Sequence, residues 1–122
     1  MKASSFMIGD IVNVYPSNLP IHIAAVHNRK VAYHFVEHRL EWVKESLLRP
    51  IPLTSEILKK NGFLKDENCR LILPMAVVFW SDNGRTMIRS LINDKHFYGW
   101  CHNVHEMQQA LRLLNIEKEI QL

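Results

Sequence analysis

Residues 49–63, RPIPLTSEILKKNGF, place a short helix with both ends marked in a chain that elsewhere reads mostly as strands. Pro50 and Pro52 cannot donate to a β-ladder, so the approach to the helix is an edge or a connector. Thr54 is an N-cap residue for the N–H groups that a helix start leaves free. Glu56 sits in the first turn, where negative charge suits the helix dipole. Gly62 fits the left-handed position just past the last turn, and Phe63 can fold back on Ile57 or Leu58. This helix splits the chain into two strand-rich parts and sets an α+β class.

The first part is a series of short alternating segments. In MIGDIVNVY, Val12 and Val14 share one face and Ile11 and Asn13 the other. IHIAAVH reads as one strand with Ile21, Ile23 and Ala25 on one side. NRK is a tight turn into VAYHFV, where His34 alternates away from Tyr33 and Phe35 toward solvent. LEWV is a further strand, and KESLL suits one turn of 3₁₀ helix. Short strands, an early Gly-Asp turn and a hairpin through Asn28 predict an SH3-like small β-barrel over residues 6–53.

The second part, 54–122, predicts a helix, a β-meander and a closing helix, as a subdomain of its own or as one compact unit with the barrel. LILPMAVVFW, RTMIRSLI and HFYGWC, separated by SDNG and NDK, read as a three-stranded antiparallel meander. Pro74 moves the start of its first strand to near Met75. In the closing NVHEMQQALRLL, Asn103 and Glu106 form a capping box. Val104, Met107, Leu111 and Leu114 make one apolar stripe with Ala110 beside it, and Gln108, Gln109 and Arg112 fall on the other side. His105, near the second helical position, is expected to be half exposed.

Two of these segments carry a resemblance. Pro50 to Phe63 resembles the Pro-Ile-Pro-Leu-Thr-x-Glu…Gly-Phe segment of small uncharacterised proteins found in Bacteroidetes genomes and their prophages or mobile elements. NVHEMQQALRLLNIEKEI is similar to their closing Val-His-x-Leu-Gln-x-Leu helix, with Met107 where Leu is usual, and IGDIV echoes their opening strand. The resemblance implies a phage or mobile-element origin. That family has no established activity, so no catalytic or binding residue is carried over from it.

GWCHNVHEM gathers Cys101, His102, His105 and Glu106 within six positions. Neighbours at a strand end point to opposite faces, so Cys101 and His102 cannot both turn toward His105. His102 and His105 are then the natural metal pair, and two ligands do not complete a zinc site. A Cys101 nucleophile lacks a third orienting group nearby. The four glycines are scattered singly, and no phosphate-binding loop or serine elbow exists. The chain is therefore expected to be no enzyme and to need no cofactor, with a metal-dependent enzyme at 101–106 as a remote alternative.

Composition narrows the remaining classes. The chain has 122 residues, 48% apolar and 22% charged, as soluble globular proteins do. No apolar run reaches bilayer length and MKASSFMIGD has no apolar leader region, so a cytoplasmic protein away from membranes is expected. Cys69 and Cys101 fit that compartment as reduced thiols. Residues 1–61 carry eight Lys/Arg and five Asp/Glu, against seven of each in 62–122. A nucleic-acid binder using the basic first half would rely on Arg29, Lys30, Arg39, Lys44 and Arg49. The leading expectation is a non-enzymatic binding or interaction module. Aromatic residues crowd the meander, and one of Phe79/Trp80 and one of Phe97/Tyr98 must face away from the core. HFYGWC would be an edge strand with weak protection, so either the barrel half covers it or a homodimer or protein partner meets Phe97, Tyr98 and Trp100 there.

Overall fold

The computed structural model describes residues 6–36, 39–65, 71–81, 83–118 and 120–122, the side chains of Phe35 and Val36 excepted. Cys69 and His38 lie outside that description. The fold is mixed α+β, with two helices and antiparallel sheets. The chain divides into two compact units, Met1–Ile51 and Pro52–Leu122. Among the described residues no helix is long and apolar enough to cross a membrane.

Among its described residues the first unit has six strands: β1 (Ile11–Val14), β2 (Leu19–His22), β3 (Ala25–His27), β4 (Lys30–Val36), β5 (Arg39–Lys44) and β6 (Leu48–Arg49). They form two three-stranded sheets, ordered β2-β1-β6 and β3-β4-β5. No closed barrel forms among the described residues. IHIAAVH, expected as one strand, is divided between the sheets. The Ile23 N–H donates to the Asp10 carbonyl, whereas the next N–H, of Ala24, donates to Ala32. The backbone thus changes partners between consecutive residues. Both sheets supply one core of Phe6, Val12, Ile21, Ile23, Val31 and Leu48, with Val14, Tyr33 and Val43 against it. Ile11, expected on the face away from Val12, is buried as well.

The local chemistry behind these strands is visible in the turns. Gly9 takes a φ of 91°, and its N–H bonds the Ile23 carbonyl. The Asp10 carboxylate accepts from the Met7 N–H at 2.8 Å, so the Gly-Asp pair fixes the entry into β1. Asn28 and Arg29 both have positive φ and join β3 to β4 as a two-residue hairpin loop of the kind that matches strand twist. Glu45–Leu47 form the expected single 3₁₀ turn.

The second unit contains α1 (Ser55–Lys60), β7 (Leu64–Lys65), β8 (Leu71–Leu73), β9 (Ala76–Trp80), β10 (Arg85–Ser90), β11 (His96–Trp100) and α2 (Val104–Leu113). The Thr54 hydroxyl accepts from the Ile57 N–H. At the other end the Gly62 and Phe63 N–H groups bond the Lys59 and Leu58 carbonyls, with Gly62 at φ 83°. That is the paired-bond helix stop that a glycine here predicts. The meander is larger than expected: one five-stranded antiparallel sheet in the order β11-β10-β9-β8-β7. Pro74 does not delay a strand. It ends β8 and starts a two-residue turn, with Leu73 paired to Ala76 across it.

Helix α2 begins at Asn103 with its capping box formed, Glu106 accepting from the Asn103 N–H at 3.0 Å. The stripe of Val104, Met107, Ala110, Leu111 and Leu114 is buried as expected. His105 and Gln108 are buried too, against expectation. They stand three positions apart on the edge of the stripe, and at ~100° per residue they extend the buried arc beyond half the circumference. The two segments that carried the resemblance meet in space: Pro52 bridges to Asn103, and the Leu53 N–H donates to the His102 carbonyl at 2.9 Å.

Candidate binding surface

Alternation in β10 is strict: Thr86, Ile88 and Ser90 are buried, and Arg85, Met87 and Arg89 are exposed. Register then places residues of neighbouring strands on the exposed side in rows. Phe79, Met87 and Tyr98 form one row, 43%, 38% and 68% exposed. Trp100, 55% exposed, stands opposite Arg85 in the next row. The row on the other side runs from Leu64 through Ile72 and Val77 to Arg89 and His96. Phe79, Trp80, Ser81, Arg85 and Met87 line a shallow cleft of about 340 Å³ at one end of this face.

Along β11 the face is a ladder of rings. His96 and Tyr98 stack at 6.3 Å between centroids, and Trp100 and His102 at 6.0 Å with planes only 2° apart. Two glycines make room for rings on either side of this strand. Gly84, at φ 90°, lies under the His102 ring, where an added Cβ would come within 2.5 Å. Gly99 lies under Phe97, where a Cβ would come within 2.9 Å of the ring. Phe97 thus folds over its own strand on the side of Ile88, opposite to Tyr98 and Trp100. The Trp80 indole donates to the Cys101 carbonyl at 2.9 Å, fixing the end of β11.

Among the described residues of these rows the charged side chains are Arg85 and Arg89, with His96 in the row of Arg89. Neither arginine pairs with a carboxylate among the described residues.

The residues singled out at 101–106 are drawn into structure. Cys101 points inward and is fully buried, while His102 points outward onto Trp100. Burial pushes the Cys101 thiol up to about 11, with Glu106 adding to the rise and Thr86 opposing it. At neutral pH it is a thiol, not the thiolate that nucleophilic chemistry uses. One Glu106 carboxylate oxygen already accepts from the His102 and Asn103 N–H groups and from the Asn103 amide. Among the described residues no three His, Cys, Asp or Glu side chains gather as a metal site would require.

Of the five first-half cations singled out for nucleic acid, Arg29, Lys30 and Lys44 come together around a cleft of about 330 Å³ that also includes Glu45. Lys30 and Lys44 are direct cross-strand partners. Arg39 lies at the other end of the β4–β5 pair and approaches Glu41 at 3.4 Å. Arg49 donates to the Ser46 and Leu48 carbonyls, with its guanidinium 5.1 Å from the Tyr15 ring centre.

Comparison with protein families, with curated proteins and with solved structures gives no match. Function must therefore be argued from the surface itself. Sequence reasoning found Tyr98 and Trp100 but not Arg85, Met87 and Arg89. The alternation of RTMIRS contains the signal, since only Thr86, Ile88 and Ser90 suit a buried face.

Proposed function

We propose that this chain is a non-enzymatic binding module whose ligand docks on the exposed face of the five-stranded sheet. The observation that supports it is the continuous row Phe79–Met87–Tyr98, with Trp100 beside it, left open on a sheet whose other face is buried. Contiguous exposed aromatic and Met side chains are what binding surfaces concentrate. We further take the first unit as an SH3-like arrangement, on the strength of two small sheets around one core, and the protein as acting in the cytoplasm. Kinship with the Bacteroidetes proteins and their mobile elements rests on the two segments that meet at Pro52 and Asn103.

A photo-crosslinking amino acid in place of Tyr98 tests the surface directly. It should capture a bound molecule in the expressing cell, whereas the same group in place of Val26, exposed on the first unit, should not. Equal capture at both positions, or none at either, would overturn the assignment. A second reading places nucleic acid on the first unit. It is favoured by the like-charged cross-strand pair Lys30–Lys44, which with Arg29 outnumbers the single carboxylate, Glu45, among the residues lining that cleft.

A further inference from the structure

We propose that the exposed face of the five-stranded sheet binds single-stranded nucleic acid, with bases stacked on Tyr98 and Trp100 and phosphates held by Arg85 and Arg89. This rests on the reading of that face as a binding surface and names its occupant. Charge decides the sign of the partner. The described residues of the rows include Arg85 and Arg89 and no carboxylate, with the exposed Asp94 outside them in the turn between β10 and β11, so an anionic partner is complementary. The rings decide its shape. Base–aromatic stacking tolerates any sequence because every base has a flat π-face. Tyr98 and Trp100 offer such platforms at 68% and 55% exposure, each beside a residue of β10: Met87 opposite Tyr98 and Arg85 opposite Trp100.

The geometry selects an unpaired strand over a duplex. The flat face of a sheet cannot enter a groove about 12 Å wide as a helix or a two-stranded ribbon does. Splayed bases of a single strand can instead lie on it. Side chains two apart on a strand are spaced by ~7 Å, so the ladder from His96 to His102 extends for ~20 Å. That is room for two or three bases, the usual load of an aromatic sheet face. A second copy of the chain fits less well. In a two-fold dimer through this face the same patch meets itself, which brings four arginines to one interface whose described rows offer them no carboxylate. His102, pinned between Trp100 and Gly84, keeps the Trp100 platform in one orientation before any ligand arrives.

The test is fluorescence anisotropy of the full chain with a fluorescein-labelled dT12 and the matching U12, at 50 and 200 mM salt. Saturable binding is expected, with quenching of Trp fluorescence. Affinity should fall about sevenfold across that salt range if two phosphates are contacted. Tyr98→Ala with Trp100→Ala should weaken binding tenfold or more, while the folded circular dichroism spectrum is kept because both rings are more than half exposed. Arg85→Ala with Arg89→Ala should weaken binding and flatten the salt dependence. Lys30→Ala with Lys44→Ala should do neither.

The proposal is overturned if neither oligonucleotide binds at 50 mM salt, or if a duplex of the same length binds as tightly. It is also overturned if the Lys30/Lys44 variant abolishes binding while the Tyr98/Trp100 variant does not. A parent that is dimeric by light scattering and made monomeric by Tyr98→Lys would assign the face to a second copy instead. In that case, or if a group at position 98 still captures another partner, the surface stands and only its occupant changes. No capture at position 98 together with no oligonucleotide binding removes both.

Discussion

In β10, Thr86, Ile88 and Ser90 turn to one side of the sheet and are buried, while Arg85, Met87 and Arg89 turn to the other and are exposed. The buried side keeps its polar groups satisfied locally. Thr86 donates to the Gly84 carbonyl, and the Ser90 hydroxyl accepts from the Ile92 and Asn93 N–H groups. The open side does the reverse and leaves rings and guanidinium groups uncovered. One sheet therefore separates a face that holds the fold together from a face left exposed. Substitutions should fall into two classes, large effects on stability with little specificity and small effects on stability with loss of binding.

The largest effect is expected at Leu111, fully buried on the stripe of α2. Leu111→Asp would leave an unpaired charge in the core of the second unit, at a cost of about 3 kcal/mol or more. Urea unfolding followed by circular dichroism should show the loss. A variant as stable as the parent would show that α2 does not close the core.

Cys101 gives the buried side a pH dependence. Its thiol ionises near 11 in the fold against 9.0 unperturbed, because burial disfavours the thiolate. A raised value means that the stabilisation is fully present below pH 9 and is lost as pH climbs from 9 toward 11. The difference amounts to roughly 2 to 3 kcal/mol at pH 11. Unfolding curves at pH 8 and 10.5 should therefore diverge more for the parent than for Cys101→Ala. Identical divergence would place the alkaline loss elsewhere.

A smaller effect is expected at Asn61. Its amide donates to the Ile57 and Gln121 carbonyls, and its oxygen accepts from the Gln121 N–H at 2.7 Å. This clamps the residue next to the fully buried Ile120. Asn61→Ala should cost about 1 to 3 kcal/mol and increase hydrogen exchange at residues 120–122 before any other part of the unit. Unchanged exchange there would mean that the tail is held without the clamp.

Elements marked by their own end chemistry were legible in the sequence. Thr54, Gly62, Asn103 and Glu106 act within three or four residues of themselves, and both helices lie where they predict. What depends on distant partners was not legible. Pro74 could delay a strand or turn it, and the choice is made by Ala76 finding Leu73. IHIAAVH looks continuous because its alternation is, yet Ile23 and Ala24 bond to different strands. His105 reads as half exposed, whereas the packing around α2 buries it. The binding face was half visible: alternation shows that Phe97 and Tyr98 part company, and register with Met87 and Phe79 shows which of them faces out.

Phe97 and Tyr98 therefore offer the finest test of the two faces, since they are neighbours on one strand. Phe97 is half-buried, covers Gly99 and sits opposite the buried Ile88. Tyr98 is 68% exposed opposite Met87. Phe97→Ser should cost about 1 to 3 kcal/mol, because it uncovers the glycine and removes apolar contact on the core side. Tyr98→Ser should stay within about 0.5 kcal/mol, as exposed substitutions do. Matched chemical unfolding of the two variants measures both. With rings of similar size replaced by the same residue at adjacent positions, the difference between them reports chiefly the face each side chain takes. A cost for Tyr98→Ser as large as that expected for Phe97→Ser would show that the ring of Tyr98 is covered in solution, and the face proposed for binding would then be closed.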